Sequence, residues 1–507
     1  MSRTLTPGGQ SFSQRRLLLQ TAVSWFTVLT EIVTGFLLAP ILIRTLGPEK
    51  YGVWVVFNST HSLCSLVDLG LRGTFNRVVS MAGGRKEVDG LAGTIIRVLL
   101  LGATVSTVIH LVVGLLFPSL FPKAPPLPAH EIVVALGLMS LNVYCGFMSS
   151  SFTAYLAATG RNHEATAISA MLNVIRIPAV LVLVQFTHSL IALAALFASL
   201  GLLQVTALKF RARGLANVLA LVRQPPDWPA LRKVRGHASF SFMSRSAYTF
   251  YAELPTYAAM LLLGSSSVAL LAFCFLLISF SRRLIEAFGS NVFPLVMRAC
   301  AQHDISTLQR LFEVYLLYTS IIASLFYFGI FFYGADFLRI WLAPTPFELD
   351  AALKVLSLGA LLSGIGGLSS IVLEGFGRYW RNLGLQVTEF ALNVLLVILL
   401  AWAMELRELG IALAFAIPRV LTASVLLWLQ SRAIAMSARV VGRLLVNNLV
   451  WWGVAASCVS LWHRWLAPRD WPTLLVSAAG AGLSFLSLVA WFQRDRLLAL
   501  RRGAPVA

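Results

Sequence analysis

The chain has 507 residues, of which 58% are hydrophobic and 12% are charged, and its formal net charge is +19. Charged residues make up about 25% of an average soluble domain, so this composition excludes a soluble globular protein and favours a membrane protein. The basic residues are spread over loops between apolar segments. That distribution is typical of loops that face anionic lipid, and it argues against a nucleic-acid partner.

Long apolar segments recur along the whole chain. A membrane-spanning helix needs roughly 20 mostly apolar residues, and we predict fourteen such helices. In chain order they cover residues 17–43, 51–70, 91–119, 131–158, 165–187, 189–208, 239–263, 266–288, 309–334, 351–375, 383–403, 409–430, 447–466 and 472–492. The first is too long for a signal peptide and no small-residue cleavage site follows it, so we interpret it as retained.

The stretch "RTLGPEKYG" separates the first two predicted spans. Gly47 and Pro48 are typical residues at the end of a helix. Tyr51 and Trp54 have rings with a polar edge, which is typical of the membrane interface. We therefore predict an outer hairpin here, as a structural joint rather than a binding site.

Lysine and arginine indicate the orientation. If the N-terminus is cytoplasmic, most of the 40 basic residues fall in cytoplasmic segments. This bias follows the positive-inside rule and predicts that both termini are cytoplasmic. Four arginines remain inside predicted spans: Arg97, Arg176, Arg245 and Arg419.

A weak internal repeat relates the two halves of the chain. The repeat is carried by four matches: Leu46-Gly47 with Leu263-Gly264 and Gly160-Arg161 with Gly377-Arg378 at an offset of 217, then Asn173 with Asn393 and Ile191 with Ile411 at an offset of 220. The repeated unit holds six spans, an even number, so both copies have the same orientation. They are expected to be related by an axis along the membrane normal.

These observations predict an all-α polytopic membrane protein with two pseudo-symmetric six-helix bundles and two additional C-terminal helices. The predicted organisation is a first bundle at 1–208, a cytoplasmic linker at 209–238, a second bundle at 239–430, a cytoplasmic interfacial segment at 431–446, an additional helix pair at 447–492 and a cytoplasmic tail at 493–507.

Polar residues recur at helical spacing in four of the spans. Span 1 carries Thr21, Ser24, Thr27, Glu31 and Thr34; span 7 carries Ser241, Arg245, Thr249 and Glu253; span 5 carries Ser169, Asn173 and Arg176; span 11 carries Gln386, Glu389 and Asn393. Because polar groups inside a bilayer usually face a protein interior or a water-filled cavity, these stripes predict a cleft between the two bundles. In the alternative interpretation, the hydroxyls bond back to their own helix and the charges pair for packing.

The polar residues within the spans indicate the charge of the cargo. The predicted substrate-binding residues are Arg97, Arg176, Arg245, Arg419, Asn173 and Asn393. Arginine forks suit phosphate, so we expect an anionic, phosphorylated headgroup. The roles of three further carboxylates stay open: Glu31, Glu253 and Glu389. They could pair with the arginines, form hydrogen bonds with sugar hydroxyls, or titrate as coupling sites.

The sequence contains no motif that would favour an enzyme over a transporter. The five cysteines show no metal-binding or CxxC spacing, the eight histidines form no HExxH pair, and no Walker A motif is present. The predicted outer loops are short, which argues against a glycan polymerase or ligase. We therefore predict that the protein is not an enzyme, holds no metal, and needs no cofactor beyond H⁺ or Na⁺ as a coupling ion.

Two stretches carry a family resemblance. "LAPILIRTLGPEKYGVWVVF", followed by "LVDLGLRGTFNRVVSMAGGRK", and the later "ALKVLSLGALLSGIGGLSSIVLEGFGRYWRNLGLQV" resemble the Wzx-type flippases. These are polysaccharide transporters of the multidrug/oligosaccharidyl-lipid/polysaccharide (MOP) superfamily. The resemblance covers roughly residues 15–430.

The resemblance implies a V-shaped, two-bundle transporter that works by alternating access in the bacterial inner membrane. Its cargo would be an undecaprenyl-pyrophosphate-linked oligosaccharide, a repeat unit of O-antigen, capsule or exopolysaccharide, moved from the inner to the outer leaflet. The implied partners are this lipid-linked substrate, membrane lipid, and the polysaccharide polymerase and chain-length machinery.

The chain departs from the family in two respects. Lipid II flippases of this superfamily have arginines in the first span, whereas Glu31 is the charged residue deep in span 1 here. Fourteen spans also exceed the twelve common in Wzx-type members, and the last two are expected to form either a lipid-tail groove or peripheral packing helices. Two alternative functions stay open: a drug/cation antiporter of the same fold, and a membrane polymerase or ligase of glycan assembly.

Overall fold

The computed structural model describes residues 14–71, 89–158, 161–212, 225–289, 292–343, 348–364 and 367–492. Within these ranges the regular secondary structure is helical, which confirms the predicted all-α class. The chain forms two compact units, Met1–Val268 (unit 1) and Ala269–Ala507 (unit 2).

Unit 1 is built from long helices joined by short connections. Its described helices are α1 (Gln14–Cys64), α2 (Asp89–Leu120), α3 (Ala129–Ala158), α4 (Asn162–Phe186), α5 (Leu190–Arg211) and α6 (Trp228–Leu262), with a short 3₁₀ turn at Ser65–Asp68. Helix α6 lies in this unit because it contacts α1 and α2. The predicted division at the linker 209–238 stays a prediction.

Unit 2 contains most of α7 and the helices that follow it. These are α7 (Ser265–Gly289), α8 (Phe293–Ala301), α9 (Ile305–Leu342), α10 (Asp350–Ser363), α11 (Gly367–Gly375), α12 (Tyr379–Leu396), α13 (Arg407–Ala433), α14 (Ala438–Leu466) and α15 (Trp471–Phe492). A π-helical segment at Val397–Ala403 extends α12. Helices α14 and α15, the predicted additional pair, pack on α9.

The protein is a multi-pass membrane protein. Twelve helical segments of the described residues are long and apolar enough to cross a membrane, and each of the fourteen predicted spans falls on a helix. The two numbers differ for two reasons. One segment, Leu29–Asp68, covers the first two predicted spans, and α6 is not among the twelve because charged residues such as Arg245 and Glu253 interrupt its apolar sequence.

The helices place apolar side chains on both their inner and outer surfaces. Ile95, Leu99 and Phe147 are fully buried in a core formed by α2 and α3, whereas Leu115 and Leu461 are largely exposed. A soluble protein rarely exposes so many large apolar side chains together. The outer faces of these helices are therefore suited to contact with lipid.

Two glycines define the joint between the first two spans. Gly47 interrupts α1 with φ of 78°, a left-handed conformation that favours glycine. Gly52 lies against the backbone of Ser265, whose carbonyl oxygen would overlap a Cβ atom added at Gly52. Both residues thus have a backbone role, in agreement with a structural joint.

The predicted repeat is visible in the backbone of both copies. Gly264, the counterpart of Gly47, also has a positive φ, of 106°. The amide of Arg161 donates to the carbonyl of Leu156 over 2.7 Å, and the amide of Arg378 donates to that of Leu373 over 2.8 Å. Because these two hydrogen bonds are 217 residues apart, the sequence offset corresponds to a repeated local structure at the start of α4 and of α12.

Threonine side chains join α1 to α4. The Thr27 hydroxyl donates to the Thr166 carbonyl over 3.2 Å, and the Thr34 hydroxyl donates to the Asn173 carbonyl over 3.1 Å. Thr30 instead bonds back to the carbonyl of Thr27. The three described hydroxyls of the polar stripe in predicted span 1 therefore bond to helix backbone, two of them across to α4. The side chains of Thr21, Ser24 and Ser241 lie outside the described ones.

Candidate functional site

Arg245, one of the predicted substrate-binding residues, is paired with an acid that the sequence analysis did not select. Its Nη1 donates to Oδ2 of Asp68 over 3.2 Å, and its Nη2 donates to the Ser65 hydroxyl over 3.4 Å. The other carboxylate oxygen, Oδ1, accepts the backbone N–H of Gly70 over 2.9 Å. Asp68 is thus held by α6 and by the turn that follows α1.

The two partners differ strongly in exposure. The Asp68 side chain is 1% exposed, whereas that of Arg245 is 39% exposed. The carboxylate therefore fixes the guanidinium from the buried side, while part of the guanidinium reaches the surface of unit 1. A guanidinium has five N–H donors, and these two hydrogen bonds use two of them. This geometry is suited to presenting a fixed arginine fork to an anion.

Unit 2 repeats this arrangement with different helices. Nη1 of Arg419, on α13, donates to Oε1 of Glu389, on α12, over 3.3 Å. The Glu389 side chain is 4% exposed and that of Arg419 is 40% exposed. Each unit thus holds a half-exposed arginine against a buried carboxylate. The structure brings together two predicted site residues in this second pair.

Asn393 lies one turn beyond Glu389 and is fully buried. Its side-chain oxygen and nitrogen both have no hydrogen-bond partner among the described residues. Buried amides are normally satisfied, and an exception is typical of an ordered water or a functional site. Asn173, its counterpart in the repeat, is 8% exposed on α4 and is one of the carbonyl acceptors for α1.

Arg176 is held differently from the other two arginines. Its guanidinium lies over the ring of Phe197, with 5.0 Å from Cζ to the ring centroid. Its Nε is buried and has no hydrogen-bond partner in the part of the chain that the structure describes. Glu31, on α1, is close enough to act on it electrostatically, although the Glu31 side chain itself is exposed. Arg97 is half-buried on α2.

Glu253 belongs to a polar cluster inside unit 1. The hydroxyls of Ser59 and Ser62, on α1, donate to its carboxyl group. One turn further along α6, the Tyr257 hydroxyl is hydrogen-bonded to that of Thr60 over 3.0 Å. The predicted carboxylate therefore faces α1 rather than one of the predicted arginines.

Asp68 is not among the predicted site residues, although its sequence position carries a signal. Asp68 lies in "LVDLG", inside the predicted span 51–70, and an ionisable residue within an apolar segment is a functional-site candidate by the same rule that selected Glu31. His61 and His110 fall in predicted spans as well. Among the described residues, no group of three histidine, cysteine or acidic side chains is arranged to hold a metal ion.

Comparison by sequence finds no relatives: no protein-family model matches the chain, and no curated protein matches it either. Comparison by structure finds clear similarity. A lipid II flippase MurJ in an inward closed conformation matches with a TM-score of 0.69 and 14% identity, over 95% of this chain and 100% of that chain. An inward-facing multidrug resistance MATE family transporter of the MOP superfamily matches with a TM-score of 0.67 and 13% identity, over 82% and 98%.

A third solved structure is a MOP superfamily transporter from Pyrococcus furiosus, described by the reverse polarity of its binding pocket. It matches with a TM-score of 0.56 and 16% identity, over 84% of this chain and 99% of that chain. These similarities confirm the predicted fold class: the chain has the fold shared by MATE transporters and the lipid II flippase.

Proposed function

We propose that the protein is a flippase that moves an undecaprenyl-pyrophosphate-linked oligosaccharide from the inner to the outer leaflet of a bacterial inner membrane by alternating access. The observation that carries the proposal is the pair of half-exposed arginines, Arg245 and Arg419, each fixed by a buried carboxylate. One lies in each unit of a fold that multidrug transporters and a lipid II flippase share.

The physical need for such arginines is clear. Carrying an unshielded pyrophosphate through hydrocarbon would cost on the order of tens of kcal/mol. Arginine forks replace the water around phosphate with charge-assisted hydrogen bonds. Asp68 and Glu389 hold the forks in place before the cargo arrives, so less conformational freedom is lost when it binds. The polyprenyl tail would stay in the bilayer throughout.

Directional transport needs an energy source. A proton or sodium ion that crosses the membrane potential supplies about 2.3 kcal/mol per 100 mV. We propose that a carboxylate of the spans couples that movement to transport, and that the polysaccharide polymerase and chain-length machinery receive the cargo.

The experiment is mass spectrometry of the lipid extract from a deletion strain, combined with a test of the sidedness of any accumulated glycolipid. Full-length lipid-linked oligosaccharide trapped on the cytoplasmic face is the expected result. Accumulation on the outer face would instead indicate a polymerase or ligase. Unchanged glycolipids together with increased drug sensitivity would indicate a drug antiporter.

Complementation with variants then tests the arginines directly. Arg245→Ala and Arg419→Ala are expected to leave the glycolipid on the inner face while the protein remains in the membrane. Arg407→Ala is the matched control, because the Arg407 side chain is 70% exposed and its ion pair is with the neighbouring Glu408. Full complementation by both arginine variants would overturn the proposed role of the two pairs.

A further inference from the structure

A basic segment, residues 432–443, connects the end of α13 to the start of α14 in unit 2. It carries three exposed arginines: Arg432, Arg439 and Arg443. Between Glu408 and Asp470 the sequence contains no acidic residue. Because the sequence analysis predicts an interfacial segment at 431–446, we expect these charges to lie at the level of the lipid headgroups.

Hydrogen bonds fix the backbone of the basic segment. The amide of Met436 donates to the carbonyl of Ser431 over 2.9 Å, and Ala435 between them has a φ of 52°. Nε2 of Gln309, on α9, donates to the carbonyl of Ile434 over 2.8 Å, and the Ile434 side chain is fully buried. The arginines are therefore carried by a fixed turn, so less conformational freedom is lost when they bind a ligand.

Arg432 is supported by an aromatic ring. Its guanidinium lies over the ring of Trp428, with 4.3 Å from Cζ to the ring centroid, and tryptophan is the best aromatic partner for a cation. A contact with a ring face leaves the N–H donors of the guanidinium unused. Those of Arg432 have no acceptor among the described residues. Arg432 is thus held in place with its hydrogen-bond donors available to an anion.

Exposed apolar side chains continue from the basic segment along both helices. Steps of three and four residues lead from Arg432 along one face of α13 and from Arg443 along one face of α14. The side chains at these steps are apolar and between 41% and 60% exposed: Trp428, Val425 and Leu421 on α13, and Val446 and Val450 on α14. A soluble anion would not need such a surface. A lipid would, because its acyl chains extend from its charged headgroup into the bilayer.

The neighbouring elements do not neutralise the three arginines. None of the ion pairs between described residues includes them. The elements that share the apolar core below the basic segment, at residues 293–316 and 367–382, carry four basic and three acidic side chains: Arg298, Arg310, Arg378, Arg381, Asp304, Glu313 and Glu374. The positive charge of the segment is therefore left for a ligand.

We propose that the basic segment binds the headgroup of an anionic phospholipid of the membrane. The phosphate accepts charge-assisted hydrogen bonds from the arginines, whose forks match phosphate oxygens. The acyl chains lie along the exposed apolar faces of α13 and α14. Basic clusters beside membrane helices commonly recognise anionic headgroups in this way. This lipid stays bound to unit 2 and is not the transported cargo, so the inference does not depend on the proposed function.

The test is native mass spectrometry of the full-length protein in detergent, which resolves the binding of single lipid molecules. The probes are phosphatidylglycerol and phosphatidylcholine with the same acyl chains, because both contain phosphate but only phosphatidylglycerol has a net negative charge. The variants are Arg432→Gln, Arg439→Gln and Arg443→Gln, alone and combined. Arg407→Gln is the matched control, because Arg407 lies at the opposite end of α13 and pairs with Glu408 over 3.5 Å.

The wild-type protein is expected to bind its first phosphatidylglycerol more tightly than its first phosphatidylcholine. Each single arginine variant is expected to weaken phosphatidylglycerol binding about fivefold, and the combined variant by more than about tenfold, because each basic residue near a lipid headgroup contributes about that much. Trp428→Leu removes the ring under Arg432 and is expected to weaken binding about twofold to fivefold. Arg407→Gln is expected to bind both lipids as the wild type does.

Three results would overturn the proposal. They are an unchanged affinity of the combined variant for phosphatidylglycerol, an equal loss of phosphatidylcholine binding, and displacement of the lipid by excess glycerol 3-phosphate, which would indicate a site for soluble phosphate.

A further variant keeps the test decisive if the combined variant fails to fold. Ala438 is exposed at the first position of α14, where an acidic side chain suits a helix. Ala438→Glu is expected to keep the thermal stability of the wild type and to weaken phosphatidylglycerol binding about fivefold, because it places a negative charge beside the arginines. Wild-type affinity in a folded Ala438→Glu protein would also overturn the proposal.

Discussion

Asp68 is the buried partner of Arg245: the two side chains are 3.2 Å apart, and the carboxylate is almost fully shielded while the guanidinium is half-exposed. This difference in exposure has an energetic consequence. Loss of the arginine removes a charged partner from a buried carboxylate, whereas loss of the carboxylate leaves a cation that can be hydrated.

The first prediction concerns the stability of this pair. Arg245→Ala is expected to lower the free energy of unfolding by about 3 kcal/mol, the order found when a buried ion pair loses one partner. Asp68→Asn is expected to cost less, because Asn keeps the shape and the remaining arginine reaches water. Thermal unfolding of the purified protein in detergent measures both.

The double variant provides the control for this comparison. In Arg245→Ala/Asp68→Asn the buried site is neutral, so the double variant is expected to be more stable than Arg245→Ala alone. Equal losses in the two single variants, or additive losses in the double variant, would contradict the pairing.

The second prediction separates the charge of Arg419 from its shape. Arg419→Lys keeps the positive charge but loses the planar fork that binds a carboxylate or phosphate with two hydrogen bonds. We expect it to lose most of the export activity in the complementation assay, with normal protein levels. Arg407→Lys, at an exposed position, is expected to complement fully. Wild-type export by Arg419→Lys would show that only the charge matters there.

The third prediction concerns the close contact of Gly52 with Ser265. A methyl group at position 52 would overlap the backbone carbonyl, so Gly52→Ala is expected to destabilise the protein by about 1–3 kcal/mol, the usual cost of overpacking. Gly453→Ala, within helix α14 and with open space around its Cα, is expected to be neutral or slightly stabilising. Similar thermal stability of the two variants would rule out the contact.

The fourth prediction concerns pH and the start of α9. The hydroxyl and amide of Thr307 and the hydroxyl of Ser306 donate to Asp304, and they lower its pKa to about 2. Because the pKa is lower in the folded state, the cap stabilises the helix above pH 3.8, the ordinary value, and loses this effect as the pH falls toward 2. The protection of the first turn of α9 from hydrogen exchange, taken relative to the rate of an unstructured peptide at the same pH, is expected to fall over that range, and Asp304→Ala is expected to show the low protection at neutral pH.

Much of the fold could be predicted from the sequence, because apolar segments of sufficient length have few alternatives to a membrane-spanning helix. Each of the fourteen predicted segments falls on helices of the described residues. The repeat was also detectable, since the positions that matched include Gly47 and Gly264, where a positive φ restricts the residue type. The predicted number of spans exceeds the count by composition by one at α1, where a single segment carries two predicted spans, and by one at α6, where Arg245 and Glu253 lower the hydropathy.

The candidate site was only partly predictable. The rule that ionisable residues in spans are functional selected Arg245, Glu389 and Arg419, but helical spacing alone does not reveal what a residue faces. Asp68 and Arg245 are 177 positions apart in the sequence, and nothing local to either indicates the other. Glu31 illustrates the same limit: it belongs to the same predicted stripe as Thr27, yet Thr27 is buried and Glu31 is exposed.

The threonine contacts between α1 and α4 have an evolutionary consequence. Thr27 and Thr34 both donate to backbone carbonyl groups of α4, and most residue types at positions 166 and 173 would present the same acceptor. This contact therefore constrains the two threonines, while it places no constraint on the side chains at the two positions they contact. Coevolution methods, which detect compensating changes at two positions, would find no signal for this contact, although it joins two helices at two points.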